Sequence, residues 1–268
     1  MSALCNGAPA TAADLGALAL SNYGHFTVMV VRGGAVQGLD FHLRRLQVAT
    51  GELFDAALDQ AAVRAWIGAA VAGKDGAQAV RVTVFARDFD YRRPLRALAP
   101  DVLVTASPLA AGPKPALRVK SYRFARPLAR VKHVGTFPLH YFRRRALGEG
   151  ADDALFVDAD GHVSEGATWN IGFWDGQGVI WPQAEALRGS AEHLLQAGLV
   201  EAGIDQQLRP VALQEVTGFR AAFACNATGL QPLAEIDGRA LPADPVLLAR
   251  LQAVLDARPW QPLAGALS

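Results

Sequence analysis

The sequence has few of the residues that mark several large classes of protein. It contains two cysteines, Cys5 and Cys225, in 268 residues. Two cysteines cannot build a disulfide framework, and together with six scattered histidines they have no zinc-type spacing. The formal net charge is +1, so there is no excess of basic residues for nucleic-acid binding. We therefore expect a protein of the reducing cytoplasm, with no metal site and no nucleic-acid partner.

Long apolar runs are also missing. The most apolar segments, such as AALDQAAVRAWIGAAVAG, are interrupted by Asp59, Gln60 and Arg64. None reaches the roughly 20 apolar residues of a membrane span. The first residues, MSALCNGAPATAADLG, have no basic start followed by a compact apolar run, which a secretory signal needs. We expect no membrane partner.

Lysine is the scarcest charged residue, because only four of the 26 lysine and arginine residues are lysines. One of them, Lys132, lies in the partly apolar segment RVKHVGTF, between Val131 and Val134. A lysine in such surroundings loses its proton more readily and can act as a nucleophile that forms a Schiff base. Arginine cannot do this, since its guanidinium stays protonated. Lys132 is therefore a candidate reactive amine.

The pattern of strands and helices is mixed. Apolar β-branched segments predict strands in HFTVMVVRGG, QAVRVTVFARD, PDVLVTASPLA and FRAAFACNATG. Helical periodicity predicts helices in FHLRRLQVATGELF (with Asp40 as its N-cap), DQAAVRAWIGAAVAG, FPLHYFRRRALGEG, RGSAEHLLQAGLVEAG and DPVLLARLQAVLDA. Residues 152–182 read as a meander of short strands with Asp-Gly turns at 160–161 and 175–176. This pattern favours an α+β protein over a regular βαβ repeat.

Prolines divide the chain into two predicted domains. Pro108, Pro113, Pro115 and Pro127 disfavour a long helix or a central strand in the region that they occupy. We predict a small α/β domain over residues 1–112, an inter-domain linker over 113–122, and a large domain over 123–268 that carries Lys132.

Three motifs resemble those of the class IV aminotransferases, the fold-type IV pyridoxal-phosphate enzymes. They are HLRRL, RVKHVGTF and GADDALFVDADGHVSEGATWNIGFW, and they occur in the family's order over roughly residues 23–238. The family includes branched-chain and D-amino-acid aminotransferases and aminodeoxychorismate lyases. The resemblance implies the two-domain fold of that family, pyridoxal 5'-phosphate as cofactor, and an amino donor and a keto-acid acceptor as substrates.

The resemblance also implies roles for individual residues. Lys132 binds the cofactor as a Schiff base and moves the proton during catalysis. Glu165, in VSEG, faces the pyridine nitrogen and keeps it protonated, which makes the cofactor a better electron sink. Arg45, the fourth residue of HLRRL, binds the phosphate, whereas its neighbour Arg44 is the alternative for that role.

The phosphate site departs from the family pattern. The helix after LRG would direct its free N–H groups at the phosphate, and the family commonly has Gly-Ile-Thr or Gly-Val-Thr there. This chain has Gly189, Ser190 and Ala191, so the threonine hydroxyl is missing. A second phosphate hydroxyl usually lies in the late strand, where this chain has Asn226, with Thr228 close by. We expect Ser190, Ala191 and Asn226 to contribute to phosphate binding.

Substrate residues are predicted from their position near the motifs. Tyr23 and His25 replace the acidic YGDGVFE rim of many relatives, and each could instead be a core or turn residue. ARDFDYRRPLR holds Arg87, Arg92 and Arg93, which could bind a carboxylate or form a solvated loop; Arg92 is our candidate. Trp169 is the aromatic residue that we place at the cofactor.

Three functions stay open at this point. The chain could be a transaminase, a lyase of the aminodeoxychorismate type that eliminates pyruvate, or a cofactor-binding protein without catalysis. The resemblance further implies a homodimer, with an interface of more than about 2,000 Å² in total. We expect residues 86–96 to lie near the other subunit's pocket, because Phe89, Tyr91 and the arginines suit an interface. The alternative is a monomer in which this segment is a solvated hairpin tip.

Overall fold

A computed structural model describes residues 2–110, 112 and 114–264 of the chain. The strands are β1 (Ser2–Cys5), β2 (Ala8–Pro9), β3 (Gly24–Arg32), β4 (Ala35–Gln37), β5 (Gln78–Phe85), β6 (Asp101–Pro108), β7 (Leu117–Arg123), β8 (Asp153–Val157), β9 (Val163–Gly166), β10 (Asn170–Trp174), β11 (Val179–Pro182), β12 (Gln206–Arg209), β13 (Ala221–Asn226), β14 (Gly229–Ile236), β15 (Arg239–Ala240) and β16 (Trp260–Pro262). The helices are α1 (Ala12–Ser21), α2 (Leu39–Phe54), α3 (Gln60–Val71), α4 (Phe137–Gly148), α5 (Ser190–Glu201) and α6 (Pro245–Asp256), and a short 3-10 helix covers Leu213–Gly218. Within the described residues, no helix combines the length and apolarity that crossing a lipid bilayer requires.

The predicted α+β class is confirmed, and the chain forms two compact units. The first unit consists of Met1–Ala111, Val131–Gly135 and Pro259–Ser268, and the second of Gly112–Arg130 and Thr136–Arg258. The predicted boundaries differ from this division, because the segment that contains Lys132 belongs to the first unit and not to the larger one. Residue 113, where the predicted linker begins, and the outer ends of the two predicted domains (residues 1 and 265–268) lie outside the described residues.

The first unit contains a seven-stranded antiparallel sheet in the order β16-β4-β3-β5-β6-β1-β2. Its strands alternate as the sequence predicts. Met29 and Val31 of β3 face the same side as Val80, Val82 and Val84 of β5, and this side forms the core with α2 and α3. The other side of the sheet is more polar and includes Arg81 and Thr83, which follow the same alternation.

The second unit contains a nine-stranded mixed sheet. Its strands follow the path β12-β11-β10-β13-β14-β7-β8-β9, and β15 pairs with β14. The register of β10 and β13 places Asn170 directly opposite Cys225, so the start of one strand adjoins the end of the other. Helices α5 and α6 pack together over this part of the sheet, around Trp181, Leu195 and Leu251.

The structure differs from the predictions in three local features. Helix α2 begins after Gly38, which adopts a left-handed conformation and offers no side-chain cap, so Asp40 is not the N-cap. Residues 117–123 form strand β7, paired in parallel with both β8 and β14, although the prolines before them favoured a linker. Helix α1 was missed, although Thr11 and Asp14 form a capping box at its start.

Candidate functional site

The main chain around Lys132 extends the edge of β3. Phe26 donates its N–H to the carbonyl oxygen of Lys132 at 2.8 Å, and Val134 donates to that of Gly24 at 2.9 Å. Between these two bonds, His25 and His133 form an antiparallel bridge. The position of Lys132 is therefore fixed by backbone pairing on both sides, within the first unit.

The side chain of Lys132 approaches an aromatic ring that a second cation also covers. Its Nζ lies 5.1 Å from the centroid of the Phe26 ring, and the Arg81 guanidinium lies 3.6 Å from the same centroid. Arg81 is half-buried and donates from Nε to Thr83 Oγ1 at 3.2 Å, and burial lowers the pKa of its guanidinium. Sequence reasoning missed Arg81, although its position in QAVRVTVF, out of phase with the buried valines, placed it on the polar side of the sheet.

Two buried histidines lie on the helix side of this sheet. His42 of α2 makes a 2.7 Å hydrogen bond between Nδ1 and Thr27 Oγ1, and His25 makes a 3.0 Å bond between Nε2 and Thr50 Oγ1. Burial lowers the pKa of His25 from 6.5 to about 4. Burial, followed by the positive charge of Arg45 and that of Lys132, lowers the pKa of His42 to about 3. Both histidines are therefore neutral at physiological pH.

The two arginines of HLRRL differ in exposure. Arg45 is half-buried and its charge acts on His42 one turn earlier in α2, whereas Arg44 is exposed. The charge of Arg45 therefore acts on the same histidine, His42, as the charge of Lys132 does. This difference favours Arg45 over Arg44 as the anion-binding residue.

The predicted substrate residues of the first unit have diverse surroundings. Tyr23 donates its hydroxyl to the carbonyl oxygen of Leu53 at 3.0 Å and stacks on Phe89 at 4.3 Å between ring centroids. His25 is fully buried, which favours a structural role for it. Arg92 is exposed, with its guanidinium 4.8 Å from the Tyr91 ring centroid.

Arg87 already has carboxylate partners inside the chain. Its Nη2 lies 2.7 Å from Asp101 and 3.1 Å from Asp14, and both carboxylates are buried. These contacts anchor the start of the 86–96 segment to the sheet and to α1. Arg87 is therefore a structural residue and not a candidate for binding a substrate carboxylate.

In the second unit, Glu165 forms a buried ion pair. Arg126 donates from Nε to Glu165 Oε1 at 2.9 Å and from Nη2 to Oε2 at 3.3 Å, and both side chains are less than 5% exposed. A charged pair at this depth needs such two-point geometry to offset its desolvation. Sequence reasoning missed Arg126, which reads as one of several arginines in a proline-containing stretch.

Trp169 is held close to the Glu165 strand. Its indole Nε1 donates to Asp153 Oδ2 at 3.1 Å, and its ring covers Gly166 so closely that a Cβ there would lie 2.0 Å from the indole. Burial raises the pKa of Asp153, and Arg143 lies 3.5 Å from the same carboxylate. The Gly after Glu165 is thus required by the approach of the tryptophan.

Asn170 fixes the loop that leads into α5. Its Nδ2 donates to the carbonyl oxygen of Leu187 at 2.7 Å, and its Oδ1 accepts from the N–H of Gly189 at 3.0 Å. A Cβ at Gly189 would lie 2.4 Å from that oxygen, so glycine is needed here. Gly189 is the N-cap and provides no side-chain hydrogen bond, and the buried residues Ser190 and Ala191 form the first turn. The backbone N–H groups of this turn are available for an anion.

Asn226 ends β13 on the strand that pairs with β10. Its Oδ1 accepts from the N–H of Thr228 at 2.9 Å and from Thr228 Oγ1 at 2.7 Å. The predicted phosphate residues of the second unit therefore lie at the start of α5 and at the end of β13, and the Asn170–Cys225 pair joins these two regions.

Comparisons with known proteins identify the family and the fold. The family model described as Amino-transferase class IV matches residues 24–236. A hypothetical aminotransferase from Mycobacterium tuberculosis in its apo form has a TM-score of 0.83 at 22% identity, with 96% of this chain and 98% of that chain covered. It has also been solved bound to PLP and bound to alpha-ketoglutarate and PMP.

Two further solved structures share the fold. The branched-chain aminotransferase from Thermoproteus uzoniensis, solved with norvaline, has a TM-score of 0.83 at 20% identity, with 98% of this chain and 99% of that chain covered. A fold IV-transaminase from Curtobacterium pusillum has a TM-score of 0.76 at 24% identity, covering 90% and 89%. No curated protein matches the sequence. The family pattern spans most of the chain and the two-domain fold is that of its members, so this protein belongs to the class IV aminotransferases, whose cofactor is pyridoxal 5'-phosphate.

Proposed function

We propose that this chain moves an amino group between an amino acid or amine and a keto acid, with Lys132 binding pyridoxal 5'-phosphate through a Schiff base. The observation that carries the proposal is the placement of Lys132. It lies within the residues that the family model matches, and backbone pairing with β3 fixes it on both sides. An amine that must bind the cofactor and then move a proton needs this fixed position.

The chain's own donors and acceptors fit this cofactor. Glu165 is a buried carboxylate whose charge Arg126 offsets, and a carboxylate accepts hydrogen bonds at more sites than the two that Arg126 uses. It can therefore also accept the N–H of a protonated pyridine. In the second unit, the uncapped first turn of α5 and the amide of Asn226 offer donors that suit a phosphate. In the first unit, the guanidinium of Arg45 suits one as well.

Lys132 then has two tasks. When bound, the cofactor supplies the electron sink that stabilises negative charge on the donor's α-carbon. Lys132 would hold the cofactor through its Nζ, and the same amine would take the proton from the donor's α-carbon and return one. Glu165 would accept the N–H of the pyridine nitrogen and so keep that nitrogen protonated.

The visible spectrum of the purified protein tests this proposal. We expect a band in the visible region that an amino donor removes and a keto acid restores, and borohydride treatment should attach the cofactor to Lys132. A protein that shows no such band and traps no lysine adduct would contradict the proposal. Release of pyruvate without any keto-acid acceptor would contradict transamination.

We also infer that the protein is a cytoplasmic homodimer. The 86–96 segment supports this, because Tyr91 is 71% and Leu95 98% exposed although Arg87 anchors the start of the segment. Exposed apolar side chains on an anchored segment suit a partner subunit. Sedimentation at micromolar concentration tests the assembly. A monomer that binds cofactor and turns over would contradict it, and a dimer with this segment far from the partner's pocket would contradict the segment's role.

A further inference from the structure

The side-chain amide of Asn226 has a fixed orientation. A backbone N–H can only donate, so the Asn226 atom that faces the N–H of Thr228 at 2.9 Å is the oxygen Oδ1. The same oxygen accepts from Thr228 Oγ1 at 2.7 Å. Both acceptor positions of Oδ1 are thus used, and Asn226 presents its other end, the Nδ2 donor, with one bond of 3.4 Å to the carbonyl oxygen of Thr168.

Lys114 fixes the direction of the Thr228 hydroxyl. Its Nζ lies 2.6 Å from Thr228 Oγ1, and an ammonium group can only donate. The hydroxyl must therefore accept from Lys114 and give its single proton to Asn226 Oδ1. The three side chains form one chain of hydrogen bonds that runs from a positive charge to the amide, and each bond polarises the next.

Lys114 is itself held in place. It is half-buried, and the carbonyl oxygen of its neighbour Pro115 accepts from Gln231 Nε2 of β14 at 2.7 Å. Burial lowers the pKa of the Lys114 amine, which indicates that the side chain leaves water to reach Thr228. A flexible surface lysine would gain little from such a contact.

The end of β13, which carries Asn226, is tied to the start of α5. Its neighbour Cys225 is opposite Asn170, whose side chain holds Gly189, and Cys225 packs in the same buried cluster as Ala191. Two sets of N–H donors, from the helix and from the amide, are therefore brought to one end of the second unit's sheet. An amide in the reverse orientation would place an oxygen there and repel an anion.

We propose that Lys114 and Thr228 are positioning residues that hold Asn226 with its amide donors toward the phosphate of the cofactor. The amide then supplies the hydrogen bond that a hydroxyl supplies in relatives. This inference rests on the proposed function, because it assumes that the chain binds pyridoxal 5'-phosphate.

The test compares the dissociation constants of pyridoxal 5'-phosphate and of pyridoxal, which lacks the phosphate, for the full-length apoprotein. In the wild type the phosphate should strengthen binding. Thr228→Val should reduce this preference about tenfold and Lys114→Met about threefold, while binding of pyridoxal stays unchanged. Thr228→Ser should restore it to within about twofold. Asn226→Asp keeps the acceptor for Thr228 but replaces the donors by a negative charge. It should reduce the preference for pyridoxal 5'-phosphate more than any of these variants.

Two controls and a fallback make the result decisive. Lys120→Met removes a half-buried lysine of β7, which lies 3.9 Å from Asp237, and should leave the preference unchanged. The double variant of Lys114→Met and Thr228→Val should be no weaker than Thr228→Val alone, because Lys114 acts through Thr228. If Thr228→Val does not fold, Lys114→Met and Asn226→Asp carry the same test.

Several outcomes would overturn the inference. An unchanged preference in Asn226→Asp, or equal losses for both ligands in the variants, would show that these residues only support the local fold. If borohydride traps no adduct at Lys132 in the wild type, the proposed function itself is overturned. The two failures are therefore distinct, since the first leaves the lysine adduct in place.

Discussion

The two compact units bury different polar side chains near their predicted site residues. In the first unit the buried groups next to the candidate site are His25 and His42, which lose their protons and bond to threonine hydroxyls. In the second unit they are carboxylates, with Glu165 paired to Arg126 and Glu192 to Arg188 at 3.0 Å. Near Lys132 the first unit thus buries uncharged imidazole rings, whereas the second unit pairs these buried carboxylates with guanidinium groups.

This difference accompanies the predicted site residues that each unit contains. The first unit carries the cations Lys132, Arg45 and Arg81, and neutral histidines beside them add no competing positive charge. The second unit carries the carboxylate that we assign to the pyridine nitrogen, and its guanidinium partner holds that carboxylate in place. The first unit thus places neutral rings near Lys132, and the second holds Glu165 against a guanidinium.

The largest expected effect is that of Lys132→Ala. Removing the only group that we assign to covalent binding and proton movement should abolish the visible band and reduce turnover at least about 1,000-fold. The β3 pairing uses only main-chain atoms of this residue, so the fold should persist, as circular dichroism can check. Lys120→Ala is the matched control and should behave as the wild type. A borohydride-trapped adduct at another lysine of the variant would contradict the assignment.

Acidification should lower the stability of the first unit more than that of the second. His25 and His42 resist protonation when folded, so the unfolded state binds more protons as the pH falls below 6.5. Each histidine should then cost about 2 kcal/mol of stability in the first unit at about pH 5. Burial raises the pKa of Asp153 and of Glu192, so those groups bind protons more readily when folded, and they favour the second unit as the pH falls.

Hydrogen exchange checks this prediction. After correction for the intrinsic rate, amides of α2 and β3 should lose protection between about pH 7 and about pH 5, whereas amides of β8 and α5 should not. A loss of equal size in both units, or none in the first, would show that the buried histidines do not set the acid sensitivity.

Glu165→Gln tests the buried ion pair of the second unit, between Glu165 and Arg126. It should slow deprotonation of the donor about 10- to 100-fold in single-turnover measurements, because the pyridine nitrogen loses its charged partner. It also leaves Arg126 buried with one partner charge fewer, so stability should fall. The double variant with Arg126→Met should recover stability without recovering the rate. A near-normal single-turnover rate for Glu165→Gln would contradict its role.

The smallest effect should distinguish Arg45 from Arg44. Arg45→Ala should weaken binding of pyridoxal 5'-phosphate about tenfold, since a charged hydrogen bond to phosphate is lost, whereas Arg44→Ala should have little effect. Fluorescence titration of the apoproteins measures both. Equal losses would mean that the register of HLRRL was assigned incorrectly.

Local patterns in the sequence predicted much of the fold. Strands β3, β5, β6 and β13 and helices α3 and α6 follow from alternation, helical periodicity and turn residues. Strand β7 did not, because the prolines before it suggest a linker, and its pairing with β8 and β14 stabilises it. The capping box of Thr11 and Asp14 is a local sequence signal for the start of α1.

The candidate site was predictable only where a motif exists. Lys132, Glu165 and Arg45 came from the resemblance. Arg126 and Lys114 could not be recognised, because their partners are 39 and 114 residues away along the chain. Contacts over such distances are set by the folded sheet and leave no local pattern.

Strand β16 has a consequence for how the chain is made. It pairs with β4, and Gln261 contacts Asp40, which precedes it by 221 residues. A ribosome that adds about 5 to 20 residues each second needs roughly 10 to 45 seconds for that distance. During this time the β4 edge emerges without its neighbour and can pair with another nascent chain. Early binding of a chaperone at this edge would protect the first unit until its outer strand is synthesised.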